Sequence, residues 1–263
     1  MSDARVDVKE RKGSPGLTGV NAVDRALRLL VLIADAGGIV TASDLSAAAD
    51  LPLPTTHRLL QALRGRGFIR QSVDKRYAIG GELIRLGYVG RSLLGGIALP
   101  HLERVVAATK ESANLATLDG RFVVYLAQFQ APRSMRMFTE PGSRVPAHGT
   151  AVGKAMLAGM SDELVRQRIG GTLERLTNRT ISDIDSLLAE LARVRKLGYA
   201  VDEGENEEGV CCVAVSVRTT SEAYAISVSG PASRMGTAHM DRAIRALRES
   251  SDALASDLLC KPI

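Results

Sequence analysis

Leu51-Pro-Leu-Pro-Thr-Thr-His-Arg-Leu-Leu-Gln-Ala-Leu-Arg-Gly-Arg-Gly-Phe-Ile-Arg70 reads as a helix built to enter a DNA groove, followed by a basic loop. Pro52 and Pro54 are excluded from a helix interior but suit its first turn. Beyond them Leu59, Leu60 and Leu63 keep helical spacing and give one apolar face. Thr55, Thr56, Arg58 and Gln61 are assigned to the opposite face, where short polar and basic groups reach base edges and phosphates. The stretch alone is better read as an ordinary amphipathic helix, and its neighbours shift the reading. Upstream, residues 23–34 have the periodicity of a long amphipathic helix, stopped by Gly37-Gly38. Thr41-Ala-Ser-Asp44 is then a capping box with Asp in place of the usual Glu, opening a short helix from Leu45 to Ala49. Downstream, residues 67–79 read as two short strands around a Val73-Asp74-Lys75 turn. A short helix, a tight turn, a polar-faced helix and a two-stranded wing, in that order, describe a winged helix-turn-helix.

Charge runs the same way. Between residues 53 and 80 the basic groups are Arg58, Arg64, Arg66, Arg70, Lys75 and Arg76, against the single acid Asp74. Residues 1–80 carry 12 Lys and Arg against 8 Asp and Glu, whereas the remaining 183 residues carry 22 against 21. The net +5 is thus concentrated in the smaller part, as expected of a DNA-binding domain joined to a domain with another task. Arg66, Arg70, Lys75 and Arg76 are the expected phosphate contacts, and Thr55, Thr56 and Arg58 the expected groove contacts. Only 3% of residues are aromatic, which argues against stacking on single-stranded nucleic acid or RNA.

A chain of 263 residues has room for two domains with real cores. Residues 1–18, rich in Ser, Asp, Lys, Arg, Gly and Pro, read as a disordered arm. The winged helix-turn-helix, mostly α, takes 19–80, a linker helix 81–96 and a second domain 97–263. Gly95-Gly96 breaks the linker helix, and a new helix runs from Leu99 to Glu111. Strands Asn114–Leu118 and Phe122–Gln128 flank an Asp119-Gly120 turn. Met135–Phe138 is a short strand whose Met135 and Met137 fill the core or wall a pocket. Thr150–Ala158 and Ser182–Leu197 read as helices, Val210–Val217 and Ala223–Ser229 as paired strands, and a last helix runs from about Met235 to Leu259. The pattern is α+β, with helices on a mixed or antiparallel sheet. No apolar run spans a bilayer and the start is polar, so a cytoplasmic protein is expected. Cys211, Cys212 and Cys260 lack metal-ligand spacing and are expected to be reduced; no metal or cofactor is implied.

From Val20 to Leu258 the chain resembles the IclR-type transcriptional regulators. Residues 21–30 look like that family's first helix, and Leu51-Pro52 with Thr55 and residues 57–60 like its recognition helix. Residues 146–155 look like its mid-domain signature; residues 198–202, 209–212 and 227–231 look like its C-terminal one. The resemblance implies a GAF-like effector domain, a small organic-acid or aromatic-catabolite effector, double-stranded operator DNA, repression more often than activation, and homodimers or homotetramers. It also implies an effector contacted by the amides of Ala151 and Val152 and by Asp202, Cys212, Ser227 and Ser229. The physical reading agrees: amides at a helix start favour an anion, and two Ser alternating on a strand face one way. Asp202 is the awkward member. It either accepts from a ligand hydroxyl, is protonated when ligand binds, or caps a loop facing water. Position 211, often basic in the family, is Cys211, and position 149, often Ala or Cys, is Gly149. Two other functions stay open: a hydrolase-like enzyme using Cys212 and His148, which needs a lowered thiol pKa, and a ligand-free DNA-binding scaffold. Residues 149–154 look superficially like a phosphate loop but lack its glycine spacing and the Ser or Thr after Lys154.

Overall fold

A computed structural model of the chain describes residues 21–132, 140–219 and 222–260. The expected arm, the Met135–Phe138 strand and its pocket-wall role lie outside the described residues. Contacts divide the chain into two units, the first ending at Gly90 and the second beginning at Arg91.

In the first unit, α1 (Asn21–Asp35) buries Leu29, Leu30, Leu32 and Ile33, the i, i+3, i+4 set expected of one face. Gly37 and Gly38, both at positive φ, turn the chain into β1 (Ile39–Val40). Thr41 caps α2 (Ala42–Ala49) by accepting the Asp44 amide at 3.2 Å, while its hydroxyl donates to the Asp44 carboxylate at 2.7 Å. The box therefore closes on the cap hydroxyl, where the longer Glu closes on the cap amide. Asp50, at φ 52, makes the turn into α3 (Leu53–Gly65), whose first turn holds Pro54. Leu45 and Leu60 meet Leu29 and Ile33 in one cluster, each such burial being worth about 1.5–3 kcal/mol. The wing strands β2 (Ile69–Gln71) and β3 (Tyr77–Ile79) pair antiparallel, with Lys75 at φ 62 in the turn between them. β1 adds a third strand on the far side of β3, pairing Val40 with Tyr77. Two residues are too few to show alternation, so the sequence gives no sign of it. Gly80 sits where a Cβ would lie 2.2 Å from the Gly67 carbonyl, so only glycine closes the wing.

α4 (Gly81–Thr109) corrects the expected break. It runs unbroken through Gly95, Gly96 and Pro100. In a helix interior Pro costs about 3 and Gly about 1 kcal/mol. Burial of Ala98, Leu102, Val105 and Val106 in the core of the second unit opposes that cost. The helix belongs to the first unit up to Gly90 and to the second thereafter.

The second unit continues with β4 (Ser112–Asp119), β5 (Phe122–Phe129), β6 (Arg144–Pro146), α5 (Ala151–Leu157), α6 (Asp162–Ile169), α7 (Ile184–Leu197), β7 (Ala200–Glu203), β8 (Val210–Val217), β9 (Tyr224–Pro231) and α8 (Thr237–Cys260). The strands form one sheet in the order β6-β5-β4-β9-β8-β7, every pairing antiparallel. The β4–β5 loop is Gly120-Arg121, one residue later than expected, with Asp119 paired to Phe122. On one face Leu115, Val213, Val215, Ile226 and Val228 pack with residues of α4 and α8. On the other Ala116, Ala214 and Ala225 pack with residues of α5, α6 and α7. The two adjacent cysteines follow the pleat: Cys211 joins the first cluster and Cys212 the second.

Candidate recognition helix and effector cavity

Each unit presents one candidate surface. On α3 the exposed residues are Leu53, Pro54, His57, Arg58, Gln61, Ala62 and Arg64, with Thr55 half-buried. Thr56 corrects the sequence assignment. It is wholly buried, and its hydroxyl donates to the Pro52 carbonyl at 3.3 Å. Thr56 lies four residues before the fully buried Leu60, and that spacing was the available signal. His57, which shares the exposed face with Arg58, was missed. Arg64 is held to the wing by a 2.8 Å hydrogen bond to Gln71 Oε1. Arg66, Arg70, Lys75 and Arg76 are all exposed. Arg76 already has a partner, with its Nε 3.2 Å from Asp74 Oδ2. The Ser72 hydroxyl, helped by the Arg76 charge, holds the Asp74 carboxyl below its ordinary range.

The second unit encloses a cavity of about 150 Å³. Ala151, Val152, Asp202, Cys212, Ser227 and Ser229, drawn from four separate stretches of sequence, all line it. Sheet register brings the last four together. Asp202 on β7 pairs with Cys212 on β8, which pairs with Ser229 on β9, and Ser227 stands two residues from Ser229 on the same face. The first two arrive on α5. Its N-cap Thr150 accepts the Gly153 amide at 3.1 Å, and the first backbone bond of the helix is Lys154 to Thr150. The Ala151 and Val152 amides precede that bond and stay unspent among the described residues. With seven residues α5 is short, so these free donors matter more than any dipole. Gly153 permits the packing: a Cβ there would lie 2.0 Å from the Ala147 carbonyl.

Asn114 was missed by sequence reading, although Ser112 and Asn114 already show polar alternation on β4. It is fully buried, and its Nδ2 donates to Ser227 Oγ at 3.3 Å and Ser229 Oγ at 3.1 Å. Gln128 Nε2 in turn donates to Asn114 Oδ1 at 2.9 Å. Cys212 Sγ donates to Ser229 Oγ at 3.3 Å. The Tyr125 ring side chain also lines the cavity, its phenol pushed up by burial and by the nearby Cys212 and Asp202.

Asp202 meets one part of the expectation. It caps a loop, Oδ1 accepting the Glu205 amide at 2.6 Å and the Asn206 amide at 3.4 Å, but it is 2% exposed and does not face water. Burial raises its carboxyl above the ordinary value, against the pull of those amides and of Lys154. Lys154, 1% exposed, is bonded to Glu205 and lies 3.5 Å from Glu190, which Arg193 also holds through two 2.8 Å hydrogen bonds. Lys154 is therefore a buried counter-charge behind the cavity.

Cys212 and His148 are not arranged as a nucleophile and base. Burial and the neighbouring Asp202 push the Cys212 thiol far up, away from thiolate. Burial likewise pushes Cys211 up to about 11. His148 is off the cavity wall, with Nε2 2.9 Å from the Glu174 carbonyl, and burial lowers its affinity for a proton. Among the described residues no cluster of three or more His, Cys, Asp or Glu is placed to hold a metal ion, and no helix is long and apolar enough to cross a membrane.

Comparison with known proteins agrees with this architecture. Residues 22–72 match the IclR helix-turn-helix domain, and residues 87–256 match the bacterial transcriptional regulator IclR C-terminal domain. The chain is 36% identical over 253 residues to the HTH-type transcriptional regulator BhcR of Paracoccus denitrificans, covering 92% of this chain and 90% of that protein. It is 33% identical over 237 residues to the HTH-type transcriptional repressor AllR of Escherichia coli, covering 86% and 88%. Among solved structures, an IclR transcriptional regulator from Alicyclobacillus acidocaldarius matches with a TM-score of 0.79 at 27% identity, covering 91% and 99%. An IclR homologue from Microbacterium hydrocarbonoxydans, solved with 4-hydroxybenzoate, matches with a TM-score of 0.74 at 25% identity, covering 92% and 100%. A helix-turn-helix unit followed by a sheet unit with a polar cavity, matched by family over both parts, makes this chain a member of the IclR family of bacterial transcriptional regulators.

Proposed function

We propose that this chain is a cytoplasmic, non-enzymatic repressor that binds operator DNA through α3 and its wing and is controlled by a small organic acid held in the 150 Å³ cavity. The observation that carries the proposal is the convergence of Ala151, Val152, Asp202, Cys212, Ser227 and Ser229 on that one cavity. Its free amides and hydroxyls suit a carboxylate, and its volume suits a small acid better than a large catabolite. Thr55, His57, Arg58 and Gln61 read bases; Arg66, Arg70, Lys75 and Arg76 hold phosphates. Effector control requires that the ligand favour one geometry of the regulator over another. The continuous α4 is the element that both units share.

The same helix supports a homodimer. Ile84, Tyr88, Val89 and Leu93 are exposed apolar residues on it, and Gly87 and Gly90 have open space where a Cβ would stand. A second copy packed along this exposed apolar segment of the helix would place two α3 helices on two half-sites. Fluorescence anisotropy with DNA from upstream of the protein's own gene tests the whole reading. The expected result is a salt-sensitive, sequence-preferring complex, displaced by one of a panel of small carboxylic acids and aromatic catabolites. Equal affinity for random DNA with every compound present would reject it.

A further inference from the structure

We infer that Asn114, which is not on the cavity wall, is the positioning residue that makes the cavity selective for an anion, by fixing the direction of the Ser227 and Ser229 hydroxyls. The inference rests on the reading of the cavity as an effector site. A serine hydroxyl carries one hydrogen and two lone pairs, and its rotation is free unless neighbours fix it. Asn114 Nδ2 has two hydrogens, and it spends one on each serine oxygen. Ser229 Oγ accepts a second hydrogen from Cys212 Sγ, so both its lone pairs are taken. Its own hydrogen then has the cavity as its remaining direction. Ser227 Oγ takes a single bond from Asn114, which closes one direction to its hydrogen and leaves the cavity as one of the directions open to it. The amide of Asn114 is oriented in turn by Gln128, whose Nε2 donates to Asn114 Oδ1.

The order of protons therefore runs from Gln128 on β5, through Asn114 on β4, to the serines on β9, each step crossing between paired strands. The result is an O–H donor directed to the cavity at Ser229 and a second available at Ser227, beside the unspent Ala151 and Val152 amides. These donors stabilise a carboxylate more than a neutral carboxamide, whose own N–H groups meet the same donors and have the Asp202 side of the wall as their acceptor. A reversed network, with Asn114 Oδ1 accepting from both serines, would present acceptors and favour the amide. Asn114 thus sets the charge preference of a site that it does not touch.

The test is calorimetric binding of pyruvate, lactate and butyrate, each against its own amide, to the full-length protein. The expected wild-type preference is for the acid by at least about tenfold, the scale of one charge-assisted hydrogen bond. Asn114→Leu, which keeps the branching at the γ carbon and adds no charge, is expected to reduce that ratio several-fold, to about 3 or below. Gln128→Met, remote from the wall, is expected to reduce it by a smaller factor. Simple structural damage would weaken acid and amide together and leave the ratio alone. An unchanged ratio in both variants, or a wild-type preference for the amide, would overturn the assignment. Failure of the wild type to bind any of the three acids is a different failure, since it removes the effector-site reading beneath it. If Asn114→Leu does not fold, Gln128→Met alone decides.

Discussion

In the first unit the groups offered to a partner stand outside the core, whereas in the second they stand inside it. Arg58, Arg66 and Arg70 are exposed around a core formed without them. Asn114, Lys154, Asp202, Ser227 and Ser229 are buried, and each is held by another buried or half-buried group. A solvated arginine costs little to keep and can be exchanged with little effect on the fold. A buried polar group without its partner costs about 1–3 kcal/mol, and more if charged. The comparison teaches that binding and stability are separable at the DNA-reading surface and are coupled at the cavity.

The largest expected effect lies in the cavity. Lys154→Met leaves Glu205 without its cation and Glu190 with Arg193 alone, and is expected to cost about 3–5 kcal/mol in calorimetric unfolding at neutral pH. A loss below about 1 kcal/mol would mean that the cluster behaves like a surface pair and would break the contrast. Next comes α3. Arg58→Ala is expected to leave melting nearly unchanged and to remove about 1–3 kcal/mol of discrimination between operator and random DNA. Thr56→Ala should do the reverse, costing about 1 kcal/mol of stability with discrimination intact, since its side chain is buried. Identical effects of the two changes on discrimination would restore Thr56 to the groove.

Salt dependence gives a smaller effect. If Arg70 neutralises a phosphate, Arg70→Ala should lessen the slope of log affinity against log salt by about 0.9 per protomer. Arg76→Ala should weaken operator and random DNA equally and change the slope less, because Asp74 already offsets its charge at 3.2 Å. Smallest is the pH effect of Asp202→Asn. The folded state raises this carboxyl above its ordinary 3.8, so the folded protein holds the proton more tightly than the unfolded chain. Stability contributed by Asp202 is therefore highest at low pH and is lost as pH rises through the raised folded value. The Asn variant lacks that decline, so melting curves should favour it increasingly from about pH 4 to pH 7. A constant gap across that range would show Asp202 ionised in the fold throughout.

Periodic and local signals were legible. α1, α2, α3, the wing and β8 follow from apolar spacing, the Thr41 cap and turn residues. Two kinds of feature were not. One is where tertiary burial outweighs local propensity, as in α4, which keeps its helix through Gly95, Gly96 and Pro100 because its other residues fill the core. The other is pairing across strands. Asn114 looks like any strand polar residue until register sets it between Gln128 and the two serines 113 and 115 positions away. The cavity residues themselves were found through family likeness, since nothing local in Asp202 or Cys212 announces a shared wall. α6, β6 and β7 are short and carried no strong period.

The burial of Thr56 has a practical consequence for retargeting. With that position fixed by packing under Leu60, a library meant to change the operator sequence should hold Thr56 constant and randomise Thr55, His57, Arg58 and Gln61. Diversity spent at position 56 would return destabilised clones in place of new specificities. If the wing residues hold phosphates as proposed, they can be left untouched, so that every variant in the library starts from the same background affinity for DNA.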